Sequence, residues 1–420
     1  MQILSFHTNG EWLTTNPDKV IAGNEKPERD IAKDEINRAL SDCFRCSNLV
    51  VLTGLGTSLH VNVDKGAAGY PEKRVAITGK KIAPMMRDLW EKAKVKSGDN
   101  FEKVTKLSKF PTDDKSFEGN IEALLSYCKI GSEFTDSKDD KKLVTDFIKN
   151  TEEIIRDEVS FLSEEDSVGV HSELLRRIAR RSSRKVRTKI FTTNYDLCFE
   201  YAARQGRYVV IDGFSHTSPQ VFDSIYFSYD IVKRDANTDS HDFISNVFHL
   251  YKLHGSIDWT KKAKTNELER EPGTKNPVLM YPRNNKYELA FEQPYLEMMS
   301  AFQAAIRQPE TALLIVGFGF NDNHIAEPIL SAIRSNLNLK VVICDPALAP
   351  TNAPAKEGTA KTNPHINKIR YLIENRDARL SLINGTFEEL VHELPDIAAE
   401  TDLEKHMERV RLLRGQEHGH

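Results

Sequence analysis

Short apolar runs that end in small or polar residues alternate along the chain with longer stretches whose apolar positions recur every three or four residues. The first pattern predicts buried strands and the second amphipathic helices. Strands are expected at Leu49–Thr53, Val186–Thr193, Tyr208–Ile211, Ser224–Phe227, Val247–Leu253, Leu279–Pro282, Ala312–Gly317, Leu339–Asp345 and Arg379–Asn384. Helices are expected at Asp30–Cys46, Tyr295–Arg307, Ile325–Asn336, up to about Glu374, and at Phe387–Leu394. Between about 84 and 181 the pattern is helical and highly charged, with candidates at Met85–Val95, Ile121–Cys128, Asp140–Phe161 and His171–Arg181. The strands Ala312–Gly317 and Leu339–Asp345 flank a helix, which makes a βαβ unit with a parallel pair. The expected fold is α/β, a parallel sheet flanked by helices and carrying a helical insertion at about 84–181. Residues 1–30 read as an arm or edge element, 31–395 as the sheet domain, and 396–420 as a charged tail.

A chain of 420 residues with 39% hydrophobic and 29% charged residues suits a globular protein with a sizeable core. Its net charge of −4 supplies no general attraction to nucleic acid or to an anionic membrane. No apolar run reaches the roughly 20 residues that span a bilayer, and the first residues lack the form of a signal peptide, so a cytoplasmic protein with no membrane partner is expected. Cys43 and Cys46 are spaced as one helical turn, and without a second such pair they do not make a four-thiolate zinc site.

Three strand ends carry the candidate chemistry: LTGLGTS at Leu52–Ser58, FTTNYD at Phe191–Asp196 and LHGSIDW at Leu253–Trp259. Loops at the carboxyl ends of strands are where open α/β sheets bind ligands. Gly54 and Gly56 permit close backbone approach to a diphosphate, with Thr57 and Ser58 as donors, although a strand-to-helix turn needs glycine for its own geometry. Asn194 presents an amide that holds a hydroxyl or water without titrating, and Asp196 either orients that amide or caps the helix that follows. His254 is placed to act as a general base near neutral pH, or to serve as a structural histidine. His60 is close enough to the first turn to line the same cleft. A second glycine turn, GFGFNDNHI, offers Gly317, Asn321 and Asp322, and Asp345 ends the next strand; each serves a nucleotide or caps a helix.

Together these strings resemble the sirtuin-like superfamily, in particular its NAD-consuming branch in bacterial antiphage defence. GLGTS is similar to the family's GAG-x-S motif with Leu55 in place of Ala, FTTNYD to T-x-N-x-D, and LHGS to its His-Gly string. The resemblance spans about Leu49 to Leu394 and implies a Rossmann-like domain that uses NAD as a substrate without a metal. It implies cleavage of the nicotinamide–ribose bond by water, giving nicotinamide and ADP-ribose. In that reading Asn194, His254 and Asp196 are catalytic: Asn194 positions ribose and water, His254 is the base, and Asp196 supports the ribose. Gly54, Gly56, Thr57 and Ser58 hold the diphosphate, with Gly317, Asn321 and Asp345 towards adenosine. Replacing Asn194 or His254 is expected to abolish turnover with folding intact. Two features depart from a protein deacylase: HVNVDKGAAGY stands where a GIPDFR-like string belongs, and Cys344 is the only cysteine beyond His254, so no four-cysteine zinc module follows. A deacylase and a non-catalytic NAD or ADP-ribose sensor that drives assembly remain the alternatives.

The resemblance also implies a homo-oligomer, working beside a HerA-type ATPase. Leu174–Lys189 (LLRRIARRSSRKVRTK) has eight basic residues and reads either as a solvated helix face or as a docking surface with weak, salt-sensitive affinity for nucleic acid. His60–Lys81, rich in glycine, reads as a mobile cover over the cleft.

Overall fold

The computed structural model describes residues 1–16, 30–71, 73–114, 117–235, 240–280, 293–349 and 363–395. Nine strands make the main sheet: β1 (Gln2–Ser5), β2 (Leu13–Thr14), β3 (Asn48–Thr53), β4 (Lys189–Thr192), β5 (Val209–Ile211), β6 (Val247–Lys252), β7 (Thr311–Val316), β8 (Lys340–Cys344) and β9 (Leu380–Asn384). Their order is β2-β1-β9-β8-β7-β3-β4-β6-β5. From β9 to β5 every pairing is parallel, and the antiparallel pairings are those of β1, with β9 and with β2, at one edge. The fold is therefore α/β, as the alternation of apolar runs and helices implies.

The helices are α1 (Ile31–Arg45), α2 (Met86–Ser97), α3 (Asn100–Leu107), α4 (Ile121–Glu133), α5 (Lys138–Val159), α6 (Gly169–Ala179), α7 (Cys198–Gly206), α8 (Tyr295–Arg307), α9 (Asn323–Ser335), α10 (Pro364–Glu374) and α11 (Phe387–Glu393). Successive strand residues face opposite sides. In β7, Leu313 and Ile315 pack with Phe302 of α8 and Ile329 of α9, while Ala312, Leu314 and Val316 pack with Ile36 and Leu40 of α1. Burying each such Leu or Ile side chain stabilises the fold by about 1.5–3 kcal/mol, so these continuous apolar runs are what fix the centre of the sheet. Helices α2–α5 close on a third core around Phe101, Leu124, Leu125 and Phe147, which also takes in Tyr195, Ile257 and Leu279. The helix α6 packs instead on α7 and α11, against the sheet.

Some expectations differ from the structure. Ser224–Phe227 is not a strand but the start of a 3-10 helix, Ser224–Ser228, because the Asp223 carboxylate takes the Ile225 N–H at 2.9 Å and turns the chain. The helix α3 was not anticipated. A small separate sheet was not foreseen either: Leu268–Arg270 pairs with both Trp259–Lys261 and Gln220–Val221. The end of the expected strand Leu279–Pro282, residues 17–29 of the arm and the tail 396–420 lie outside the described residues.

The basic segment is largely committed to internal contacts. Arg181 is buried and donates to the carbonyls of Phe44, Cys46 and Ser47, a cation at the C-terminus of α1. Arg176 and Arg177 pair with Glu173, Arg187 with Asp230, and Lys185 reaches the Arg45 carbonyl. Among the described residues no helix is long and apolar enough to cross a membrane.

Candidate active site

The chain builds β3, then β4, β5 and β6 on one side of it, and only later β7, β8 and β9 on the other. The strand order thus reverses between β3 and β7, and the crevice beyond their carboxyl ends is where such sheets bind ligands. A cleft of about 1240 Å³ lies there, lined by Gly54, Asn194, Tyr195, Asp196, His254, Gly317, Asn321 and Asp322, and by Glu122 and Ala123 of α4.

The two glycine turns are pressed together at the reversal. A methyl on Gly54 would lie 2.6 Å from the Gly317 oxygen, and one on Gly56 2.5 Å from the Gly317 Cα. These glycines therefore serve contact between turns. The N–H groups of Gly54, Gly56, Thr57 and Ser58 donate to Val316, Gly317, Gly54 and Leu55 carbonyls. The Thr57 hydroxyl donates to the Gly54 carbonyl at 2.9 Å and the Ser58 hydroxyl to Asp196 Oδ2 at 2.7 Å, and both residues are fully buried. In this arrangement these groups are committed within the protein, not displayed to a diphosphate.

Asn194 follows β4 and is buried. Its Nδ2 donates to the Gly54 carbonyl at 3.1 Å, Ser58 Oγ at 2.9 Å and Thr57 Oγ1 at 3.3 Å. Its Oδ1 has no recorded partner among the described residues, which leaves an acceptor at the cleft for a hydroxyl or a water. Asp196 meets that amide through Ser58, whose hydroxyl its Oδ2 accepts, while its Oδ1 accepts the Cys198 N–H at 3.0 Å as α7 begins. Beneath this loop, buried Lys252 donates to the Tyr195 and Asp196 carbonyls and pairs with Glu200 at 3.1 Å, so its charge is met on several sides.

His254 is buried at the end of its strand, and Gly255 beside it has φ +84° where a methyl would strike the Val278 oxygen at 2.2 Å. The imidazole Nε2 lies 3.0 Å from Asp322 Oδ2. Burial opposes its protonation, but the hydrogen bond and charge of Asp322, with the charge of Glu122, outweigh that and raise its pKa above the usual imidazole value. Asp322 is itself desolvated, which opposes ionisation, yet His254 and the start of α9 hold its pKa below the ordinary carboxylate value. A carboxylate on Nε2 fixes the tautomer and leaves Nδ1 as the basic nitrogen.

Other residues fall elsewhere. Asn321 is exposed on the cleft rim, where its Oδ1 accepts from Asn363 at 3.4 Å. Asp345 is not among the lining residues; its Oδ1 takes the Ala347 N–H at 2.9 Å, the bland turn-forming role. His60 does not line the cleft either, because it stacks on His171 at 5.5 Å and packs by Phe387. None of the described residues of 60–81 lines it. That segment is stapled down: Asp166 takes Asn62 at 3.0 Å and Lys80, and Arg74 donates to the Leu59 and Ala83 carbonyls. Sequence reasoning missed Glu122 and Tyr195 as cleft residues and gave Asp322 no tie to His254. Among the described residues no group of three or more His, Cys, Asp or Glu is placed to hold a metal.

No curated protein matches this chain significantly. One solved structure, described as Structural Basis for the Mechanism and Regulation of Sir2 Enzymes, aligns over 86% of this chain and 97% of its own at 13% identity, with a TM-score of 0.38. A family described as SIR2-like domain matches residues 188–363. The stretch of chain that delivers Asn194, Asp196, His254 and Asp322 to the cleft is thus similar to a SIR2-like, that is sirtuin-like, domain.

Proposed function

We propose that the cleft hydrolyses NAD+ at the nicotinamide–ribose bond. The observation that carries this reading is the Asp322-supported His254 in the same cleft as Asn194, whose amide nitrogen is fixed by the first glycine turn. The ring nitrogen of nicotinamide already bears a positive charge, so the bond from it to C1′ breaks with the electron pair leaving on neutral nicotinamide. Water bonds to C1′, and its proton passes to His254 Nδ1 and on to solvent. Asn194 Oδ1 accepts from the water or a ribose hydroxyl and fixes its direction. Asp196 reaches the site through Ser58 and so holds the Asn194 loop in place.

The test is incubation of the purified protein with NAD+ and chromatographic measurement of nicotinamide and ADP-ribose, with N194A and H254A alongside. Release by wild type and loss in both variants is expected; release undiminished in both would sink the assignment. The resemblance set out above extends the reading to an antiphage effector that depletes NAD+ as a homo-oligomer beside a HerA-type ATPase. Light scattering of the chain, alone and with such an ATPase, tests that extension, and a monomer at every concentration would count against it.

A further inference from the structure

The helices α2–α5 lie wholly outside the stretch similar to the SIR2-like domain, yet one carboxyl from them enters the cleft. Glu122 stands in the first turn of α4, half-buried, and its Oε1 accepts the Tyr195 hydroxyl at 2.8 Å. The same phenol lies 3.1 Å from the Met280 carbonyl. Met280 in turn donates its N–H to the His254 carbonyl at 2.8 Å. Tyr195 is flanked in sequence by Asn194 and Asp196, and its ring centre is 6.4 Å from that of His254. One carboxyl therefore meets, through a single phenol, both the loop that carries Asn194 and the segment ending at Met280, whose Val278–Leu279 pairs with Gly255–Ser256 just after His254.

We propose that Glu122 is a positioning residue of this site, by which the helices α2–α5 set the placement of Asn194 and act on His254. A phenol has one proton to give, to Glu122 or to the Met280 carbonyl. An ionised Glu122 draws that proton to itself, and a protonated one releases it to Met280. Burial raises the Glu122 pKa, while the positive charge of His254 and the Tyr195 hydroxyl pull it down. The groups that face His254 are Asp322 from α9, Glu122 from α4 and the Tyr195 phenol, with His324 and Tyr295 beyond Asp322. Glu122 is thus the second carboxylate acting on the imidazole, supplied from a different part of the chain.

The kinetic arm of the test rests on the hydrolase reading above, and the titration arm does not. E122Q keeps the shape and an oxygen for Tyr195 but removes the charge, whereas E122A removes both; Y195F removes the link. In the full-length protein with labelled histidine, nuclear magnetic resonance follows the His254 midpoint, assigned by its absence in H254A. The midpoint is expected to fall by about half a pH unit or more in E122Q, the scale of one nearby charge. An unmoved midpoint overturns the proposal. In turnover, E122A and Y195F should each lower kcat about tenfold or more with KM for NAD+ little changed, and E122Q should recover part of it. Equal kcat in wild type and all three variants also overturns it. If wild type releases no nicotinamide, the hydrolase reading falls, while a shifted His254 midpoint in E122Q still upholds the role of Glu122.

Discussion

Asp322 divides its two carboxylate oxygens between a helix and an imidazole: Oδ1 takes the His324 N–H at 2.8 Å as α9 begins, and Oδ2 lies 3.0 Å from His254 Nε2. D322N separates these duties. Asparagine caps a helix about as well as aspartate, so α9 should keep its stability, but the imidazole loses its anion. Burial then acts on His254 with less to oppose it, and its pKa falls. The base is active when neutral, so the acid limb of nicotinamide release should move to lower pH, with kcat down about tenfold or more. The pair itself adds stability below the ordinary imidazole pKa, and that contribution is lost as pH rises through the raised value. A pH–rate profile with an unmoved acid limb would show that Asp322 does not govern the base.

Asn194 carries a structural load that its sequence position hides. N194A removes one of three donors from the buried Gly54 carbonyl, which keeps the Thr57 N–H and hydroxyl, so the loss should be that of a single hydrogen bond, about 0.5–1.5 kcal/mol. Urea unfolding should show this loss together with abolished turnover. Undiminished stability would mean that the two Thr57 donors satisfy the Gly54 carbonyl without the amide.

The glycine turns give a graded test of packing. G56A drives a methyl to 2.5 Å of the Gly317 backbone and should destabilise by about 1–3 kcal/mol or more. G319A meets only the end of the Asn321 side chain, at 3.2 Å, and should cost far less. Thermal melting of the two variants side by side settles the ranking; equal midpoints would remove the contact-between-turns account.

His171 is fully buried in an aromatic pocket with Phe199 and Phe387, and no hydrogen-bond partner for its ring nitrogens is recorded among the described residues. Burial depresses its pKa well below the usual imidazole value. The folded state therefore resists a proton that the unfolded chain accepts. Stability is complete above pH of about 6.5 and declines as pH falls from there towards the depressed folded value. H171F should flatten that decline in denaturant midpoints measured between pH 8 and 5. An unchanged slope would assign the acid sensitivity to other groups.

The runs LVVLT, ALLIV and KVVIC identify the sheet centre from the sequence because a strand buried on both faces must be apolar throughout. The strand-end positions of Asn194 and His254 were legible for the same reason. Hydrogen-bond partners were not, since the acceptors of Asn194 lie some 140 residues away and only folding brings them near. Glu122 gave no signal because an acid in the first turn of a helix is ordinary there, favoured by the helix dipole, and looks like any exposed one. Arg181 shows the converse: a basic run suggested a surface, yet one of its members is buried against the end of α1. Ser224–Phe227 has the aromatic content of a strand, and the local Asp223 turn overrode it.

The pairing of β3 with β7 bears on how the protein is made. Ser47, just ahead of β3, hydrogen-bonds Glu310, 263 residues later, and the two strands run side by side from there. Contacts of such sequence separation form late, because a very large loop must close before they are rewarded. Gly317 and Asp322 join the cleft only when that closure has occurred. A nascent chain still short of β7 on the ribosome therefore lacks both the second glycine turn and the anion behind His254. The cleft arrives with completion, and an unfinished chain carries only one of its two walls.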